Sequence, residues 1–194
     1  MRFSNINDYI GEINLALSDE NVQINFNAIG TQVETDILKD LLNGKLYNDF
    51  INDLTNNIPG SQQFTNLLNG TTYIDDCGET IIYEGLKRML RYFIYENYLE
   101  KSYYQNTGIG QMQGQNENSV TLNRSQLRKA RAIIQNEAIK LYRKAIIFIN
   151  DNYTDYFTGN DYNFWIPRQK TFLGKIITKT PVNNYFLNRS SEEN

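Results

Sequence analysis

Two long amphipathic stretches, between Glu79 and Asn152 and separated by a polar loop, constrain this chain more than anything else in it. In the first, Ile82, Leu86, Met89 and Phe93 recur at helical spacing, flanked by Ile81, Leu90, Ile94 and Tyr98. Glu84, Lys87, Arg88 and Arg91 fall largely outside that stripe, so the pattern predicts a helix with one wide apolar face. The second stretch repeats it with Leu127, Ala130, Ile134, Ala138, Leu141, Ala145 and Phe148. Neither contains proline, and Gly85 is the one glycine inside them. Matching stripes on either side of a loop pack most simply as an antiparallel helix hairpin. The fold class that follows is mainly α, built on this hairpin and followed by a non-helical C-terminal arm.

A chain of 194 residues is long enough to bury a substantial core as one domain with extensions. The expected division is a helical domain over residues 1–167 and an extended arm over 168–194. The net charge of −3 argues against a dedicated nucleic-acid binder but leaves room for local basic patches. No apolar run approaches the roughly eighteen residues of a membrane helix. The opening Met-Arg-Phe-Ser-Asn-Ile-Asn-Asp lacks the apolar core of a signal peptide, so synthesis in a reducing cytoplasm is expected. With Cys77 as the single cysteine, the chain forms no internal disulfide. Histidine is absent altogether. That removes Ser-His-Asp and Cys-His catalysis, His-ligated metal sites and the commonest general base.

Upstream of the hairpin, Ser4 to Leu17 reads as a short helix capped by Ser4. Val22, Ile24 and Phe26 alternate like a strand, or form an extended entry to a helix over 27–42 that stops at Asn43-Gly44. A further helix is expected over 45–54, then a loop at 55–63 marked by Pro59-Gly60. Asn69-Gly70 signals a turn in a small hairpin, and Asp75 or Asp76 supplies an N-cap for the first long helix.

Several constellations invite chemistry, and simpler readings answer each. Gly108, Gly110 and Gly114 lie in a glycine-rich loop, but a helix precedes them and no Gly-Lys-Ser/Thr follows, so a phosphate loop is excluded. Cys77 sits among Asp75, Asp76 and Glu79, whose charges oppose a thiolate, with no base to activate it. Glu96 and Glu100, one helical turn apart beside Lys101, read as a solvated face. Asp75, Asp76 and Glu84 carry hard oxygen ligands suited to Mg²⁺, the basis of a metal-dependent nuclease reading that no lysine-paired motif supports. No catalytic residue, metal or cofactor is expected. Arg124, Arg128 and Lys129, with Arg131, form a basic cluster at the start of the second long helix, followed by Lys140, Arg143 and Lys144. They are a candidate DNA-facing surface, although their spread around the helix fits a solvated or subunit-facing one better.

Aromatic and arm residues carry more information. Tyrosine and tryptophan combine apolar area with a polar tip and are enriched at protein interfaces. Tyr103, Tyr104, Ile109 and Met112 around the loop, Trp165, and Phe172, Ile176, Tyr185 and Phe186 in the arm are therefore candidate partner-interface residues. The arm either wraps back over its own helices or reaches a neighbouring subunit.

Ala28-Ile29-Gly30 leading to the helix that ends Leu-Leu-Asn-Gly-Lys-Leu-Tyr (41–47), Phe64-x-x-Leu67-Leu68-Asn69-Gly70-x-x-Tyr73, and Gly85-Leu86-Lys87 opening a tyrosine-rich helix form a recognisable layout. With the polar loop, the second long helix and the aromatic finish to Pro167, the chain resembles a family of proteins from crAss-like and related phages of Bacteroidales. These in turn look like head–tail connector (adaptor, or head-completion) proteins. The resemblance spans residues 25 to 167 and rests on apolar and turn residues rather than on a catalytic signature. It implies a non-enzymatic virion protein of the head–tail neck, made in the host cytoplasm and without a membrane partner. It further implies a homo-oligomeric ring with the portal's twelve-fold symmetry, in contact with the portal protein, with further neck or tail proteins and passively with packaged DNA. A DNA-binding packaging accessory is the alternative reading, and a nuclease the more remote one.

Overall fold

The computed structural model describes residues 3, 9, 20–75, 77–107, 110–113, 124–158 and 165. Its frame is three long helices: α1 (Glu20–Leu42), α4 (Gly85–Tyr103) and α5 (Arg124–Asp151). Phe26 near the start of α1 meets Tyr98 near the end of α4, ring centroids 5.1 Å apart. Glu96 near the end of α4 meets Arg131 near the start of α5, and Glu84 just before α4 meets Lys144. Both flanking helices therefore run antiparallel to α4, which is the central element. Its Leu86, Met89, Leu90, Phe93 and Ile94 are buried, facing Ala138, Leu141, Tyr142, Ala145, Phe148 and Ile149 of α5. The protein is mainly helical, and the expected hairpin is present at its centre.

Shorter elements close one end of this frame. α2 (Gly44–Asn52) follows α1 directly, because Asn43 turns the chain at φ 48°. β1 (Leu54–Thr55) and β2 (Ile58–Pro59) pair antiparallel through Asn56 and Asn57, both at positive φ, a turn asparagine adopts more readily than most residues. The Asp53 carboxylate locks that corner, accepting the Gly60 and Ser61 amide protons at 2.9 and 3.0 Å. α3 (Gln62–Asn69) ends at Gly70, φ 93°. β3 (Thr71–Ile74) then pairs with β4 (Thr80–Tyr83), Tyr73 opposite Ile81. An aromatic chain threads this end: Phe3, Phe50, Phe64, Tyr156, Phe148 and Tyr83 lie in successive contact, the last two stacked at 4.1 Å. Tyr156 belongs to the single-turn α6 (Tyr153–Tyr156).

Five local expectations are corrected. Val22 to Phe26 lies within α1 rather than in a strand, since Phe26 is a fully buried helical contact. The turn at Asn69-Gly70 ends a helix; the hairpin lies further on, at β3–β4. The first long helix begins at Gly85 rather than at Glu79: Gly85 sits at φ 83°, which no helix interior tolerates, so residues 80–83 are free to pair as a strand. Asp75 accordingly does not cap α4. Its carboxylate instead accepts the amide protons of Cys77 and Glu79 at 2.9 and 2.8 Å, closing the β3–β4 turn. Part of the loop at 102–122 also has structure, as β5 (Tyr104–Thr107) and β6 (Gly110–Gln113) pair antiparallel. The helix expected over Ser4–Leu17 lies outside the described residues except for Tyr9, which is buried edge-on against Phe26. The arm over 168–194 also lies outside them.

Candidate interaction surface

α5 carries the most distinctive surface. Its inner face is apolar and fully packed, whereas Lys129, Ile133, Asn136, Lys140, Arg143 and Ile147 point outward. Those six follow a spacing of four and three residues, so they form one stripe along the helix. Ile133 and Ile147 are 69% and 52% exposed, large apolar groups left in water along a basic run. The charges oppose the helix's own preference. The first turn of α5 holds no acidic residue and the last turn no basic one. Arg124 in the first turn instead sits at the positive end of the helix dipole and Asp151 in the last turn at the negative end. Each such placement costs a helix about 0.3–1 kcal/mol. Helix stability therefore does not account for these two charges.

The polar contacts between α4 and α5 serve packing. Glu96, expected on a solvated face, is instead buried, its carboxylate held by Arg131 and by the Asn97 side-chain amide at 3.1 Å. Lys144 donates to Glu84 at 2.6 Å, with Arg88 3.9 Å away. Burial pushes the Glu84 carboxyl up, but the Lys144 hydrogen bond and the two cations outweigh it and hold the group below the ordinary carboxylate range. This carboxylate is thus committed to an ion pair and Asp75 to a turn. Among the described residues, no three acidic, cysteine or histidine side chains gather where a metal ion could be held. Cys77 is exposed on the β3–β4 turn.

A second surface lies where β3–β4 meets the C-terminal half of α5. Strand alternation turns Tyr73 and Tyr83 onto Phe148, their rings 5.2 and 4.1 Å from it, and leaves Ile74 and Ile82 on the outer face. Tyr83 donates to the Leu67 carbonyl at 3.1 Å, and Tyr73 to Asp151 at 2.8 Å. Burial raises both phenols well above the ordinary tyrosine value, with Asp151 adding to the shift at Tyr73. A groove of about 460 Å³ runs between sheet and helix.

The residues expected to meet partners are scattered. Arg128 and Lys129 are exposed on α5, with no ion pair to another described residue, and Arg124 is the first residue of that helix. Tyr103 ends α4, Tyr104 opens β5, and Met112 lies in β6 opposite Gln105. Trp165 is half-buried against the chain itself, its ring 5.6 Å from Phe157 and its indole N–H donating to the Leu41 carbonyl at 3.2 Å. Ile109, Phe172, Ile176, Tyr185 and Phe186 lie outside the described residues. Helical spacing hides the exposed Ile82 in sequence, because it assigns that residue to the buried stripe. Its alternation with Tyr83, ending at Gly85, is the signal that could reveal it.

Residues 38–164 match the model of a family described as a family of unknown function (DUF6712). No curated protein and no solved structure matches the chain.

Proposed function

We propose that this chain, which belongs to the family of unknown function DUF6712, is a structural virion subunit that assembles with copies of itself as a head–tail connector. The observation that carries the reading is the outer face of α5. Exposed isoleucines along one stripe of the helix, interleaved with the cations Lys129, Lys140 and Arg143, suit a surface that is covered in an assembly. A rigid antiparallel hairpin supports that surface, as a subunit with a geometric role requires. A ring demands a heterologous, head-to-tail interface that closes on itself. The resemblance to phage connector proteins supplies the location: a ring beneath the portal that extends it, lines the DNA channel and receives later neck proteins.

Light scattering and negative-stain imaging of the purified chain test the reading. Closed rings are expected, and Lys129→Glu with Arg143→Glu should return the protein to monomers of unchanged helix content. A wild-type chain that stays monomeric at high concentration and joins no portal ring refutes it. The exposed Arg128 and Lys129 favour a second reading, a packaging accessory that grips duplex DNA. That reading requires binding by the isolated subunit that weakens steeply with salt, in proportion to the phosphates neutralised.

A further inference from the structure

β3 and β4 form a sheet of their own, and among the described residues no strand pairs with the outer edge of either. The groove beside them is lined by Tyr73, Ile81, Ile82 and Ile147, with Asp75 and Asp151 also on its wall. Lys144 is the one cation among its lining residues, and Glu84 holds it in an ion pair. Exposed Glu79 in the adjoining turn adds to the acidic character. Ile82 and Ile147 are 69% and 52% exposed, so an apolar surface with an acidic rim stands open. Its complement is an extended segment that is apolar and basic, able to add along a free strand edge.

The chain carries such a segment. From Arg168 to Arg189 the sequence has five basic residues (Arg168, Lys170, Lys175, Lys179 and Arg189) and no acidic one. Phe172, Leu173, Ile176 and Ile177 lie among them. The tether begins nearby: Trp165 is fastened to Leu41 at the end of α1, and because α1 and α5 both run antiparallel to α4, that end of α1 lies with β3–β4 and the C-terminal half of α5. Twenty extended residues reach roughly 65 Å, so length does not limit the contact. A tether this close also gives the segment a high effective concentration at the groove, in the millimolar range for short linkers.

We infer that the groove between β3–β4 and α5 is the seat of the chain's own C-terminal arm, residues 168–189, in the free subunit. Arm isoleucines cover Ile82 and Ile147, and arm lysines face Asp75 and Asp151. Ile147 also belongs to the outer face of α5 proposed to be covered in the ring, so the inference concerns the subunit before assembly, and the single-chain readout below tests it separately from ring formation.

Cys77, the chain's one cysteine, lies exposed on the turn beside the groove and provides the probe. The full-length protein with Gly174→Cys is treated briefly with a short bis-maleimide, as an equal mixture of ¹⁵N-labelled and unlabelled chains, and the bridged peptides are identified by mass spectrometry. Bridges from Cys77 to the introduced thiol are expected within single chains. Adding Ile82→Lys and Ile147→Lys, both at exposed positions, should slow bridging about tenfold, equivalent to about 1.4 kcal/mol of lost contact, without changing the circular dichroism. Three results overturn the inference: bridges that join labelled to unlabelled chains, no bridge at all, or a bridging rate indifferent to the two lysines.

Discussion

Replacing Gly85 with alanine should cost far more than replacing Gly78, although both residues share the same backbone angle, φ 83°. The difference lies in what surrounds them. A Cβ built on Gly78 meets nothing within 4 Å, whereas one on Gly85 falls within 3.0 Å of the carbonyl carbon of Asn69 and the nitrogen of Gly70. The approach is mutual, for a Cβ on Gly70 meets the Tyr83 carbonyl oxygen at 2.5 Å and the Glu84 carbonyl carbon at 2.8 Å. Here two backbones cross without side chains between them: the end of α3 passes over the junction of β4 and α4. At Gly78, alanine adds only the strain of a left-handed conformation, about 1–2 kcal/mol. At Gly85 it adds that strain and an overlap with main-chain atoms that cannot swing aside, about 1–3 kcal/mol more. The sums are about 1–2 and about 2–5 kcal/mol. For a chain of this size they correspond to melting temperatures lower by roughly 2–8 °C and 4–20 °C. Thermal unfolding of the two variants followed by circular dichroism makes the comparison directly. Equal losses at the two sites would mean that the backbones do not cross closely, and the whole placement of α3 against α4 would fall with that result.

Buried tyrosines offer a paired test of another kind. The Tyr142 hydroxyl is buried with no hydrogen-bond partner among the described residues, so Tyr142→Phe should leave stability unchanged or raise it by up to about 1 kcal/mol. Tyr83→Phe loses the bond to Leu67 and should cost about 1 kcal/mol; urea unfolding that ranks the two the other way contradicts the geometry. Glu96→Ala removes the buried anchor between α4 and α5 and should cost about 2–4 kcal/mol, less than a fully buried pair because Arg131 keeps access to water; a loss under about 0.5 kcal/mol would make the pair incidental. At high pH the phenols of Tyr73, Tyr83, Tyr142 and Tyr156 keep their protons beyond the ordinary value of 10.0, at which the unfolded chain releases them. Their contribution is therefore complete below about pH 10 and declines as pH rises above it. Denaturant midpoints should fall steadily over that range, and midpoints that stay constant to about pH 11.5 would contradict the burial of these rings.

The helical frame was legible because hydrophobic period is a local property. Leu86, Met89, Leu90 and Phe93 repeat at helical spacing whatever they pack against, and Asn43-Gly44 stops a helix on its own terms. What was not legible depended on a partner elsewhere in the chain. Thr80 to Tyr83 continues the helical stripe in sequence, and only pairing with Thr71 to Ile74 makes it a strand. Val22 to Phe26 alternates, yet the ring of Tyr98 draws Phe26 into a helix. In both places tertiary contact overrode a short-range pattern, which is common where the run is only four or five residues long.

Gly85 connects that failure to the surface it concealed. Counted as a tolerated glycine inside a helix, it extends the stripe backward and buries Ile82; placed at the helix start in a left-handed conformation, it frees the preceding residues to alternate. Alternation then faces Tyr83 inward and Ile82 outward, so one backbone angle decides whether an isoleucine belongs to the core or to the exposed face. The charges of α5 were visible from the start, but their meaning needed the helix's polarity and its buried side. Once Ala138, Leu141 and Ala145 are known to face α4, Lys129, Ile133 and Arg143 are left facing outward, without an intramolecular role among the described residues. A residue type suggests what it can bind. The face it is given decides what it can reach.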